Sequence, residues 1–140
     1  MGLTIENKSG TLSYNLGYGG FLRLREKIAD LCSEEWGTHY KTLSKPPAVK
    51  KEDFYKAFDE KTKSLIDQNL VSAVVVDFCL QSDCDGNVVY KQCKEIYKHI
   101  KDYDDNICYG YAGQSDCLMF KDFKKLLETC IAHKSGFKWY

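Results

Sequence analysis

Gln81-Ser-Asp-Cys-Asp-Gly-Asn-Val-Val-Tyr-Lys-Gln92 is the stretch on which the reading of this chain turns. It has the outline of an EF-hand calcium loop. Such a loop places oxygen ligands at its first, third and fifth positions and a turning glycine at the sixth. A bidentate glutamate closes the shell at the twelfth. Counted from Gln81, Asp83 and Asp85 fall on the third and fifth positions, Gly86 on the sixth and Val88 on the apolar eighth. The first and twelfth hold Gln81 and Gln92, and a neutral amide cannot grip a hard cation with two anionic oxygens. The stretch predicts a helix-loop-helix connector with a degenerate EF-hand-like loop. Asp83, Asp85 and Asn87 are its candidate ligands for a weakly held divalent cation, and Gln92→Glu is expected to move the loop toward binding. The expectation preferred over the metal site is an Asx-rich turn in which Asp83 and Asp85 accept backbone N–H bonds and help start the next helix.

Working outward, Val71 to Leu80 carries the run Val74-Val75-Val76, which favours a strand by propensity. Its place before the loop favours a helix, and helix is the reading adopted. After the loop, Val89, Cys93, Ile96, Tyr97 and Ile100 recur at helical spacing. Upstream, Lys51 to Phe58 predicts a short helix, and Thr62, Leu65, Ile66 and Asn69 a second one. Thr38 to Lys51, with Pro46-Pro47, predicts a loop. Phe21 to Trp36 is an amphipathic helix closed by Gly37. Thr11 to Leu16 alternates as a half-buried strand does. Toward the other end, Ser115 is placed to cap a helix carrying Leu118, Met119, Phe123, Leu126, Leu127 and Cys130. Ser135-Gly136 stops that helix, and Phe137 to Tyr140 reads as a closing strand. Neither strand satisfies its backbone alone, so the two are expected to pair under the Phe21 or Leu118 helix. The expected fold is α+β: a mostly helical single domain, residues 1–140, with a small sheet pairing N- and C-terminal strands.

Composition bounds the function. Lys plus Arg equals Asp plus Glu at 20 each, so no long-range field draws the chain to nucleic acid or anionic lipid. No apolar run reaches the length of a membrane span. The seven cysteines form no Cys-x-x-Cys pair and have no histidine at finger spacing. With no secretory pattern, they are read as seven free thiols of a cytoplasmic protein.

Three further constellations invite a functional reading. Gly17-Tyr-Gly-Gly20, between strand and helix, presents backbone N–H groups as phosphate-binding turns do, with Arg23 and Arg25 to add contacts. Gly17, Gly19, Gly20, Arg23 and Arg25 are thus a candidate anion site, although the spacing is neither the Walker nor the dinucleotide pattern. Tyr109, Tyr111, Trp139 and Tyr140, with Phe137, are a candidate aromatic interaction surface; core packing is the competing reading. His39, His99 and His133 lie beside no nucleophile in sequence, so no catalytic residue and no cofactor is assigned. A Cys–His or Ser–His pair assembled in three dimensions stays open.

The segments Tyr18 with Gly20-Phe21 and Arg23/Arg25, Ser82-Asp-Cys-Asp-Gly86, and Phe120 to Cys130 resemble an uncharacterised family of small bacterial and phage-borne proteins. The resemblance implies a cytoplasmic, bacterial or phage-derived protein and brings no activity or site. The leading expectation is a non-catalytic protein-interaction module, with an unknown partner that includes a host protein among the possibilities. The alternatives are a binder of a phosphorylated small molecule at Gly17–Gly20 and a weak divalent-cation-binding helix-loop-helix.

Overall fold

The structure, a computed structural model, describes residues 2–113 and 117–140. The proposed Ser115 cap, with Asp116, lies outside the described residues. The chain runs β1 (Leu3–Asn7), β2 (Ser13–Leu16), α1 (Tyr18–Cys32), α2 (Glu34–Lys41), α3 (Lys51–Asp67) and α4 (Ala73–Leu80). It continues through β3 (Gly86–Val88), α5 (Tyr90–Ile100), α6 (Phe120–Ala132) and β4 (Phe137–Trp139). The four strands form one antiparallel sheet in the order β2-β1-β4-β3. The fold is the α+β domain expected, with N- and C-terminal strands joined.

The pairing differs from expectation in one respect. Thr11 to Leu16 does not meet the last strand, because β1 lies between them: Ile5 faces Tyr14 on one side and Trp139 on the other. β1 escapes a sequence reading because its inward face runs Leu3, Ile5, Asn7, and the asparagine spoils the apolar alternation. Asn7 is buried because it ties the β1–β2 turn. Its Nδ2 donates to Thr11 Oγ1 at 2.7 Å, and its Oδ1 accepts from the Leu12 amide at 3.0 Å.

Both expected helices cover the sheet. Phe21 of α1 meets the Trp139 indole at 5.0 Å between centroids, and Phe123 of α6 meets Phe137 at 5.8 Å. Each such aromatic pair adds about 0.5–1.5 kcal/mol beyond the area it buries. α4 forms against the β propensity of its valines. Ser72 accepts from the Val74 amide, and Val75, Val76, Phe78 and Cys79 are all buried, so packing overrides propensity.

Two boundaries move. The first helix ends at Cys32, not Trp36, because Ser33 caps a new helix by accepting from the Trp36 amide at 3.1 Å. Gly37 lies inside α2, where a Cβ would stand 2.7 Å from Asp30 Cα, so glycine lets the α1–α2 corner close. Lys51–Asp67 is one helix rather than two. Thr62 Oγ1 donates to the Phe58 carbonyl within it and also lies 3.0 Å from His39 Nε2. His39 donates to that same carbonyl at 3.0 Å and stacks on the Phe58 ring. Burial holds the imidazole below its ordinary pKa. A lowered folded value means that the His39 contribution is complete above the unfolded pKa of about 6.5 and is lost as pH falls below it. Melting temperature is therefore expected to drop between pH 7 and pH 5, and by less in His39→Gln. Parallel curves for the two proteins would refute this.

The thiol expectation is corrected. Cys108 and Cys117 are joined by a disulfide across a sequence separation of 9, beside the bridge Cys108–Met119. Five cysteines are free: Cys32, Cys79, Cys84, Cys93 and Cys130. The bridge sets Cys108 opposite Met119 and so brings Cys117, two residues before it, within bonding reach, which the spacing alone does not reveal. Titration in denaturant should find about five thiols before reduction and about seven after it. The cytoplasmic expectation loses the support it drew from a full set of free thiols. No helix among the described residues is long and apolar enough to cross a membrane.

Candidate functional site

The acidic loop is closed by its own glutamines. Gln81 Nε2 donates to the Asn87 carbonyl at 2.8 Å and to Asp77 Oδ2 at 3.0 Å, while its Oε1 accepts from the Asn87 amide at 2.8 Å. Gln92 Nε2 donates to the same Asp77 oxygen at 2.7 Å, and its Oε1 accepts from the Val89 amide at 3.1 Å. Asn87 Oδ1 accepts from Lys8 Nζ. The oxygens of the first, seventh and twelfth positions are thus engaged inside the protein, and Asp83 and Asp85 stand exposed. No group of three or more His, Cys, Asp or Glu side chains among the described residues is arranged to hold a metal. The expectation for Gln92→Glu is revised accordingly. It sets a second carboxylate against Asp77 where an N–H donor stood, so a stability loss of about 1–2 kcal/mol is expected. A calcium-dependent rise in the melting temperature of Gln92→Glu would restore the metal reading.

The glycine turn keeps Arg23 beside it and loses Arg25. Gly17 precedes α1 and its carbonyl accepts from the Phe21 amide at 3.0 Å. Gly19 lies beside the exposed Arg23 guanidinium. Gly20 is buried against the backbone of residue 109: a Cβ there would stand 1.9 Å from the Tyr109 carbonyl oxygen. Arg25 points elsewhere. Its Nη1 donates to the carbonyls of Gln81 at 2.8 Å, Cys79 at 3.0 Å and Phe78 at 3.4 Å, which are the open acceptors at the C-terminus of α4. A cation there also complements the helix dipole.

The aromatic surface divides as well. Trp139 and Tyr109 are each 1% exposed and belong to the core, whereas Tyr111 and Tyr140 are 40% and 56% exposed. The indole N–H of Trp139 donates to the Ser82 carbonyl at 2.9 Å, and the Tyr109 hydroxyl donates to Asp105 at 2.8 Å. Each buried aromatic thus satisfies its polar atom inward. The four residues do not make one platform.

One recess brings a cysteine and a histidine together. Cys130 and His133 both line a recess of about 330 Å³ with Asn7, Lys8 and Ser135. Cys130 is buried and paired with the Cys93 thiol, and that pairing together with burial holds the Cys93 thiol above its ordinary pKa. No hydrogen bond links Cys130 to His133. His39, beside the Thr62 hydroxyl, is spent on the Phe58 carbonyl.

The arrangement with most chemical content surrounds Arg25. It lines a pocket of about 470 Å³ with Leu22, Tyr40, Leu43, Leu80 and Asp83. Arg25 is 5% exposed and has no carboxylate partner among the described residues. Its Nε is sealed from solvent with no acceptor, and its Nη2 meets none among the described residues. Phe21 lies under the guanidinium at 4.4 Å. Burial raises the phenol of Tyr40 well above its ordinary pKa, so it stays a neutral donor. Burial also pushes the Cys79 thiol, on the same wall, up to about 12. A buried, unpaired cation is costly unless something completes it.

Sequence reasoning singled out Arg25 but paired it with the wrong element, and it missed Tyr40, Leu22, Leu43 and Leu80. One signal was present: Arg25 sits on the buried stripe Phe21, Leu24, Ile28 of α1, where a charge calls for an explanation. Compared with known proteins, the chain matches no protein-family model, no curated protein and no solved structure.

Proposed function

We propose that this is a binding protein rather than a catalyst, and that what it binds presents an anionic group to Arg25. The observation that carries the reading is Arg25, 5% exposed as a residue, without an anionic partner among the described residues, on the wall of a concave pocket. It keeps the anion-binding expectation but moves the site from the glycine turn to the space between α1, α2 and α4. It also keeps the non-catalytic part of the interaction-module expectation. The bacterial or phage setting rests on the motif resemblance alone.

The experiment is a melting-temperature survey of the purified chain against a panel of small anions and their neutral analogues at millimolar concentration. A ligand at a hundred times its dissociation constant adds about 2.7 kcal/mol to stability, a shift of several degrees. Anionic members of the panel should raise the melting temperature and neutral analogues should not. A panel in which no anion does so defeats the reading.

A further inference from the structure

We infer that the group received by Arg25 is a single carboxylate on a small apolar body, an inference that rests on the anion-binding reading above. A guanidinium offers five N–H donors on three nitrogens in a fixed plane. Nη1 is committed to three carbonyls of the α4 terminus. Nε is buried without an acceptor, and Nη2, on the same edge of the plane, makes no hydrogen bond among the described residues. That edge is a fork that meets both oxygens of a carboxylate with parallel bonds. Nε is sealed from solvent, so a ligand engages the fork only after the guanidinium turns. The Tyr40 hydroxyl supplies a further neutral donor. Arg25 opposes the rise in its pKa and Asp83 adds to it, so both charges bear on the phenol.

Charge chooses between carboxylate and phosphate. A phosphate monoester carries close to two negative charges near neutral pH and three acceptor oxygens. Arg25 is the only cation among the residues lining this pocket, and Asp83 on the rim opposes an incoming dianion. One positive charge and one free fork fit one carboxylate. The body of the ligand then meets Leu22, Leu43 and Leu80, an apolar wall in a pocket of about 470 Å³. Such a carboxylate is carried either by a free small acid or by the C-terminus of a polypeptide.

The test uses the full chain, with titration calorimetry and the ¹⁵N–¹H signal of Arg25 Nε as readouts. Probes are hexanoate, hexyl phosphate, hexanol, and a short leucine-ended peptide in free-acid and amidated forms. Arg25 itself is a poor target, because its loss uncaps α4. Leu80→Glu, at a half-exposed position on the pocket wall, and Asp83→Asn, on the exposed rim, leave that cap in place. Hexanoate, the free-acid peptide, or both should bind and shift the Nε–H signal. Hexanol and the amidated peptide should not, and hexyl phosphate should bind about tenfold more weakly. Leu80→Glu should abolish binding, and Asp83→Asn should tighten it by roughly two- to five-fold. The free-acid peptide binding where hexanoate does not would identify a polypeptide terminus as the source. Hexyl phosphate binding as tightly as the carboxylates would overturn the carboxylate inference while the anion-binding reading stands. No binding by any anion, or binding that Leu80→Glu leaves intact, would overturn both.

Discussion

Deleting Phe137 to Tyr140 is expected to leave a chain that does not fold cooperatively at room temperature. β4 is an interior strand, so its removal strands the facing edges of both β1 and β3. Thr4 loses its reciprocal backbone bonds with Tyr140, at 2.8 and 3.0 Å, and β3 loses the strand it pairs with. Phe137 and Trp139 are fully enclosed, and the Trp139 indole contacts Phe21 of α1 and Phe78 of α4. Truncating one buried Phe or Trp costs about 3–5 kcal/mol. Losing both takes about 6–10 kcal/mol from a domain that holds about 5–15 kcal/mol, and the sheet bonds go as well. Near-ultraviolet circular dichroism and a thermal melt decide the matter. Tyr140→Ala is the control, since that side chain is largely exposed and its loss should cost within about 0.5 kcal/mol. A cooperative melt of the deletion protein within a few degrees of the full chain would show that the terminal strand is dispensable.

What could be read in the sequence was what local chemistry decides. The helix-loop-helix around Gln81 to Gln92 was legible because glycine, apolar spacing and Asx residues act over a few neighbours. The break at Ser33 was legible too, and overlooked: a serine followed by Glu34 and Glu35 is a helix start. Three features were hidden for one reason, which is that each is decided by a partner far along the chain. Arg25 serves an acceptor set more than fifty residues away, so its role as a cap on α4 leaves no local pattern. Trp139 and Tyr109 look the same in sequence whether they face solvent or the core. Cys108 and Cys117 are joined because Cys108 pairs with Met119, not because of their spacing. The candidate site inherits this limit. Its cation could be named from the sequence, but not the wall it stands in.

Gly20→Ala is expected to destabilise the protein by about 3 kcal/mol, the reverse of the usual effect of that substitution in a helix. Glycine inside a helix ordinarily costs roughly 0.5–1 kcal/mol relative to alanine, because it loses more backbone freedom on folding. Gly20 lies within α1 with no positive φ among the reasons for its presence, so propensity alone predicts a gain. Contact reverses the sign. The alanine Cβ would stand 1.9 Å from the Tyr109 carbonyl oxygen and 3.0 Å from its carbon, and those are backbone atoms that cannot swing aside as a side-chain tip can. The segment they belong to is held on several sides. The Tyr109 amide donates to the Leu118 carbonyl, its hydroxyl bonds Asp105, and Cys108 is tied to Cys117. Relief therefore has to come from moving α1 off that segment, which opens the packing of Phe21 against Trp139. The same substitution separates two accounts of the glycine turn. A phosphate-binding turn predicts a folded protein that has lost a ligand; a packing glycine predicts a lower denaturation midpoint with no ligand present. Urea unfolding of Gly20→Ala, with Gly19→Ala as the comparison at an exposed neighbour, reads the difference directly. A Gly20→Ala protein as stable as the parent would mean that α1 and the Tyr109 segment do not meet as closely as described.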